Sequence, residues 1–190
     1  MKLDTAWGAV LEYPLPRQGH GGLVIGAGVG MHFNVSQLMM EPSGSRREYQ
    51  LDERISLFDD AEEQQVTGRV TLLKTDQSVW VSAELTSNIE CECGRCLTLF
   101  SQPIRMGLEE EFFPALNPAT GAREKLLSDG GEYLYIDETH TLDLSGTLRE
   151  YASMVVPMKP LCKPGCAGLC PRCGANRNES SCVCDELPRA

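Results

Sequence analysis

The residues best equipped for chemistry in this 190-residue chain are its nine cysteines, all of which follow residue 90. Six lie in the tail, spaced Cys162-x3-Cys166-x3-Cys170-x2-Cys173-x8-Cys182-x-Cys184. A thiolate is a soft anionic donor, and zinc closes its structural sites with four such ligands in a tetrahedron. Cys170-Pro171-Arg172-Cys173-Gly174 has the form of a zinc knuckle. Its two sulfurs, three positions apart, can face one ion, and the trailing glycine relieves the tight turn. The second pair can come from Cys162 and Cys166 or from Cys182 and Cys184. The upstream pair is preferred, because 162–173 already supplies four thiolates in one compact segment. The expected zinc ligands are therefore Cys162, Cys166, Cys170 and Cys173, with Cys182 and Cys184 as the alternative pair. No His, Asp or Glu falls within 162–173, which points to a closed structural site.

Cys91, Cys93 and Cys96 form a second, smaller cluster around Gly94-Arg95. Cys93 and Cys96 can be a redox dithiol, but such motifs open a helix in a βαβ setting, and here both flanks read as strand. They can also be half of a second metal site, or share one with spare tail cysteines. The remaining reading has Cys91 and Cys93 packing inward as small apolar residues. Cys91 is the cysteine most easily spared.

The elements that must position these thiols are strands. Val79, Val81, Ala83, Leu85, Ile89, Cys91 and Cys93 fall on one face of a two-residue repeat, with Trp80, Ser82, Glu84, Thr86, Asn88, Glu90 and Glu92 on the other. That alternation describes a half-buried antiparallel strand. Gly94-Arg95 permits a reversal, and Ile104, Met106 and Leu108 resume the alternation between Leu97 and Phe113. Val66–Lys74 reads as a preceding strand, Met31–Ser36 and Tyr133–Ile136 as short ones, and 113–131 as a long loop. Leu144, Leu148, Tyr151 and Val155 recur at helical spacing, with Thr141 or Asp143 available as the N-cap and Pro157 as the stop. The expected fold is α+β: an antiparallel β-meander packed by one C-terminal helix and followed by a small zinc-knuckle tail. Residues 1–30, punctuated by glycine and proline, read as a disordered extension or as a start assigned too early. The α+β domain is expected over 31–158 and the metal-binding tail over 159–190.

Composition limits the function. A net charge of -10 disfavours a broad grip on nucleic acid, which depends on Lys and Arg neutralising phosphates. The cysteine-rich end is weakly basic and the rest strongly acidic, a pattern better suited to a basic protein partner. The N-terminus lacks the form of a secretory signal, and no run approaches the ~20 apolar residues of a membrane span. An odd cysteine count crowded into one half does not suit a secreted disulfide scaffold. A cytoplasmic protein with reduced thiols is expected, without a membrane or small-molecule substrate. His20, His32 and His140 stand apart from the cysteines. Glu109-Glu110-Glu111 reads as a solvated strand end, and Gly26–Gly30 lacks the helix a dinucleotide loop needs. No nucleophile, base and oxyanion donors assemble, so no enzyme is expected.

Three segments together resemble one family. They are Phe33-Asn34-Val35-Ser36-Gln37-Leu38; Cys93-Gly94-Arg95-Cys96-Leu97; and Leu142-Asp143-Leu144 through Val156-Pro157-Met158-Lys159-Pro160-Leu161-Cys162, followed by Gly168–Gly174 and Asn176–Asn178. This pattern, over about residues 31–184, resembles the bacterial YceD family, the large ribosomal RNA subunit accumulation proteins. The resemblance implies a non-enzymatic, cytoplasmic factor in large-subunit ribosome biogenesis, acting through a ribosomal protein, a pre-ribosomal particle or precursor RNA. Two features depart from the family pattern: the 30 extra N-terminal residues and Cys91. Some members lack the cysteine tail, so the resemblance leaves zinc as a subgroup feature. The alternative function, read from the residues, is a thiol redox or metal-handling protein using Cys93 and Cys96.

Overall fold

Every second residue from Val79 to Cys91 is buried in strand β4 (Val79–Glu92), the centre of the molecule, and those between are exposed or, at Ser82, half-buried. The computed structural model describes residues 31–58, 62–117, 120–122, 133–182 and 184. The expectation for residues 1–30 lies outside the described residues, as does most of the loop expected over 113–131.

The remaining strands are β1 (His32–Asn34), β2 (Arg46–Ile55), β3 (Gln64–Lys74), β5 (Leu99–Pro114), β6 (Leu134–Ile136) and β7 (Thr141–Asp143). The helices are α1 (Ser36–Met39) and α2 (Ser145–Val155). The larger sheet has the order β2-β3-β4-β5-β6. Its first four strands form an antiparallel meander, while β6 joins β5 in parallel through Phe112↔Leu134 and Pro114↔Ile136. Pro103 lies in the half of β5 beyond this pairing, where a missing N–H deprives no outer strand. β1 and β7 form a separate antiparallel pair. The meander with its C-terminal helix is as expected from periodicity. The β1–β7 pair was not expected, because each strand is only three residues long and its partner is remote in sequence.

One face of the sheet carries the core. Val66, Val70 and Leu72 of β3, Val81 and Leu85 of β4, and Met106, Leu108 and Phe112 of β5 are buried together with Leu142 and with Leu148 and Ala152 of α2. Burying each large side chain contributes roughly 1.5–3 kcal/mol. Tyr151 keeps its hydroxyl satisfied at the edge of this layer by donating to Glu110 Oε1 at 2.9 Å. The N-cap residue of α2 is Leu144, and Asp143 stands just outside, its Oδ1 accepting the Ser145 N–H at 2.8 Å. At the other end Val156 is extended (φ -66°, ψ 124°), as a residue before proline prefers, and the chain leaves the helix toward the hairpin.

Close approach at one place demands glycine. Gly68 in β3 has φ +153°, and a Cβ there would lie 2.0 Å from the carbonyl oxygen of Glu84 on β4. The opposite face of the sheet is polar and open. Glu84, Glu90, Glu92 and Glu109 stand exposed on it, with Arg69 and Arg105 among them.

Candidate metal centre

The alternation that buries Val79 through Cys91 carries Cys93 inward at the tip of the β4–β5 hairpin. There the chain reverses: Leu97 N–H donates to Cys93 O, and Cys93 N–H to Thr98 O, both at 3.0 Å. Leu97, and not the neighbouring Gly94, takes the left-handed conformation, at φ 59°. This tight loop turns the Cys93 and Cys96 sulfurs to the same side. Gly94 N–H donates to Pro160 O at 2.9 Å, and Leu169 N–H to Arg95 O at 3.0 Å, so the tail is laced onto the hairpin. Arg95 Nη1 adds a bond to Cys166 O at 2.9 Å. Gly168, at φ +73°, packs so closely that a Cβ would lie 3.0 Å from Arg95 O.

These contacts assemble two groups of four thiols. The first is Cys93, Cys96, Cys162 and Cys166; the second is Cys170, Cys173, Cys182 and Cys184. Within each group the sulfurs all lie within 4.8 Å of one another. In the first, Cys93 Sγ is 3.7 Å from Cys166 Sγ, and Cys96 Sγ is 3.6 Å from Cys162 Sγ. A tetrahedron with Zn–S bonds of 2.3 Å has edges of about 3.8 Å. The donor set, its number and its spacing therefore fit a tetrahedral thiophilic ion.

The structure divides the expected set. Cys162 and Cys166 face the hairpin pair, while Cys170 and Cys173 face Cys182 and Cys184. Both pairs weighed as partners for the knuckle are engaged, but in different groups. Compactness in sequence misled here, because strand pairing holds Cys93 and Cys96 against the tail, although those sulfur pairs are 73 and 66 residues apart. The first group instead matches the reading in which Cys93 and Cys96 share a site with tail cysteines. Cys93-Gly94-Arg95-Cys96 and Cys170-Pro171-Arg172-Cys173 are two copies of one knuckle, and each copy needs its own second pair. Cys91, the odd thiol, is buried in the main core, and desolvation pushes its pKa up.

The two knuckles treat their leading sulfur alike. Cys93 is lowered to about 6, first by the Cys162 backbone N–H and then by those of Cys96 and Arg95, against desolvation. Cys170 is also lowered to about 6, by the N–H groups of Cys173 and Arg172 and then by Cys182. In both knuckles, N–H groups two and three residues ahead point at the sulfur and stabilise the thiolate. In the pairs that face the knuckles, one sulfur of each responds in the opposite sense. Desolvation, then neighbouring Cys96 and Cys93, pushes Cys162 up to about 12, and Cys173 followed by desolvation pushes Cys184 up to about 12. Four sulfurs this close cannot all carry charge without a cation among them.

Side chains outside the thiols complete the first group. Asn178 Nδ2 donates to Cys166 Sγ at 3.3 Å. Thr98 Oγ1 lies 3.4 Å from Cys96 Sγ, and this hydroxyl is the leading cause of the lowered Cys96 pKa. Spacing arguments did not single out these polar residues, since they gain meaning only when the tail folds over the hairpin.

Residues 81–189, more than half of the chain and all eight grouped cysteines, match the family described as "Large ribosomal RNA subunit accumulation protein YceD". An uncharacterized protein of Mycobacterium bovis is 28% identical over 99 residues, covering 52% of this chain and 44% of its own length. Uncharacterized proteins from two strains of Mycobacterium tuberculosis match to the same extent. The match thus spans less than half the length of these relatives. No solved structure matches the chain.

Proposed function

Because this chain belongs to the YceD family of large ribosomal RNA subunit accumulation proteins, we propose that it is a non-enzymatic factor in large ribosomal subunit biogenesis. The family match across 81–189 is the observation that carries this reading. The protein supports accumulation of large-subunit ribosomal RNA from the cytoplasm, and no helix among the described residues is long and apolar enough to cross a membrane. Each thiol group holds one zinc ion as a structural clip. Four sulfurs fill a tetrahedron and leave no open position for substrate or activated water, which suits a scaffold better than a catalyst.

The charge favours a protein partner. With -10 overall and exposed Glu84, Glu90, Glu92 and Glu109 on the open sheet face, the surface complements a basic ribosomal protein more readily than an RNA backbone. The lowered thiols at Cys93 and Cys96 favour the redox alternative. Backbone N–H groups aimed at the Cys93 sulfur equally prepare a metal ligand, and Cys166 and Cys162 stand where a second pair of ligands is needed.

Two measurements test the proposal. Loss of the protein in its native host should lower large-subunit relative to small-subunit ribosomal RNA, and an unchanged ratio would overturn the role. Affinity capture of the tagged protein should retain a ribosomal protein after ribonuclease treatment. Loss of every ribosomal component would instead assign the contact to RNA.

A further inference from the structure

Residues 174–181 link Cys173 to Cys182 and so close the second thiol group, yet their middle belongs to the first. Asn178 donates from Nδ2 to Cys166 Sγ at 3.3 Å and accepts the Ala167 N–H on Oδ1 at 2.9 Å. Asn176 Oδ1 fixes that rotamer, accepting Asn178 Nδ2 at 2.8 Å and the Asn178 backbone N–H at 3.0 Å. Arg177 N–H donates to Gly168 O at 2.9 Å. Across the group, Asn176 Nδ2 lies 3.5 Å from Thr98 Oγ1, itself 3.4 Å from Cys96 Sγ. Of three successive residues in one group's connecting loop, Asn178 therefore touches a thiol of the other group, while Asn176 and Arg177 bond to residues beside it.

Resting on the reading that both groups hold zinc, we infer that the two sites load cooperatively, with Asn178 as the residue that couples them. The loop Gly174-Ala175-Asn176-Arg177-Asn178-Glu179-Ser180-Ser181 has no large apolar side chain to hold it. Only its hydrogen bonds and its metal-tethered ends oppose the entropy of a free loop. Zinc in the second group pins both ends and delivers Asn178 to Cys166. An amide donor on a ligating sulfur orients it and spreads its charge, the kind of outer contact whose loss costs roughly 10- to 100-fold in metal affinity. The benefit must be reciprocal: zinc in the first group fixes Cys166, Ala167 and Gly168, the surface on which the loop is ordered.

The test is zinc competition against a chromophoric chelator under reducing conditions, using the full chain. C182S/C184S isolates the first site and C93S/C96S the second. The product of the two wild-type association constants should exceed the product of the two single-site constants by roughly 10- to 100-fold. Asn178→Ala, which keeps all eight grouped thiols, should lower the wild-type product by a comparable factor yet leave the single-site constant of C182S/C184S unchanged, with C182A/C184A in its place should the serine variant fail to fold. If wild-type protein binds two zinc ions but the products agree, or if Asn178→Ala binds both ions as tightly as wild type, coupling is overturned and the zinc reading stands. If wild-type protein binds no zinc, both fall together.

Discussion

Cys93 and Cys166 are 73 residues apart in sequence, yet their sulfurs lie 3.7 Å apart, one on a β-hairpin tip and the other in the tail. Neither segment owns a complete ligand set for the first group. The tail is therefore fastened to the sheet through a shared site, whereas the second group is contained within the tail.

This division determines metal stoichiometry. Wild-type protein should carry two zinc ions per chain, and C93S/C96S and C182S/C184S one each. Truncation after Leu161 removes the whole second group and half of the first, so the shortened protein should retain none. Metal analysis of the purified proteins checks all three. Two ions surviving in C93S/C96S would return the ligand set to the tail alone.

Metal removal should loosen one part of the molecule and spare the other. The main core lies between the sheet and α2, while among the described residues the hairpin–tail junction has only Phe100, Leu161 and Leu169 beside the thiols. Structural zinc supplies roughly 10–16 kcal/mol of apparent binding energy in small domains, far more than those few side chains can offer. A strong chelator should make the chain cleavable by trypsin after Arg172 and Arg177, basic tail residues not followed by proline, while the fragment containing β2–β5 and α2 resists. Mass spectrometry of the digest would show it, and cleavage rates unchanged by chelation would refute a structural role.

Gly68→Ala should be severely destabilising. The backbone conformation at φ +153° costs a non-glycine residue roughly 1–3 kcal/mol. The new Cβ must also displace the Glu84 carbonyl, only 2.0 Å away, from the β3–β4 ladder. Gly107→Ala is the control, because a Cβ at Gly107 meets nothing within 4 Å. Urea denaturation should separate the two variants by at least about 2 kcal/mol.

Acid should weaken the turn between β6 and β7. Asp137 Oδ1 accepts the Thr141 N–H at 2.7 Å, the Thr139 N–H at 2.8 Å and the Thr139 hydroxyl at 2.7 Å. The Thr141 N–H is the leading cause holding this carboxyl below its usual range. A carboxylate depressed in the folded state binds fewer protons there than in the unfolded chain. Its contribution is thus complete above the ordinary aspartate range and is lost as pH falls through the folded value. The stability gap between wild type and Asp137→Asn should be constant near neutrality and narrow below about pH 4. A gap independent of pH, followed by thermal denaturation, would remove Asp137 from the acid response.

Much of the scaffold could be read from local order. The alternation from Val79 to Cys93, the reversal after Gly94 and the helical spacing of Leu144, Leu148 and Tyr151 each appear as β4, its hairpin and α2. Periodicity reports such elements because burying one face imposes it on adjacent residues. Spacing also identified cysteine as the chemistry of the chain and the knuckle as its unit. Which thiols meet was decided only in three dimensions. Cys162 and Cys166 lie nearer in sequence to Cys170 than to Cys93, but the antiparallel β4–β5 pairing carries the hairpin tip to the end of the sheet where the tail arrives after Pro157. The pairing of β1 with β7 and the reach of Asn178 to Cys166 were hidden for the same reason. Contacts between remote segments depend on where the packed core sends each chain end, and short-range sequence patterns carry little of that information.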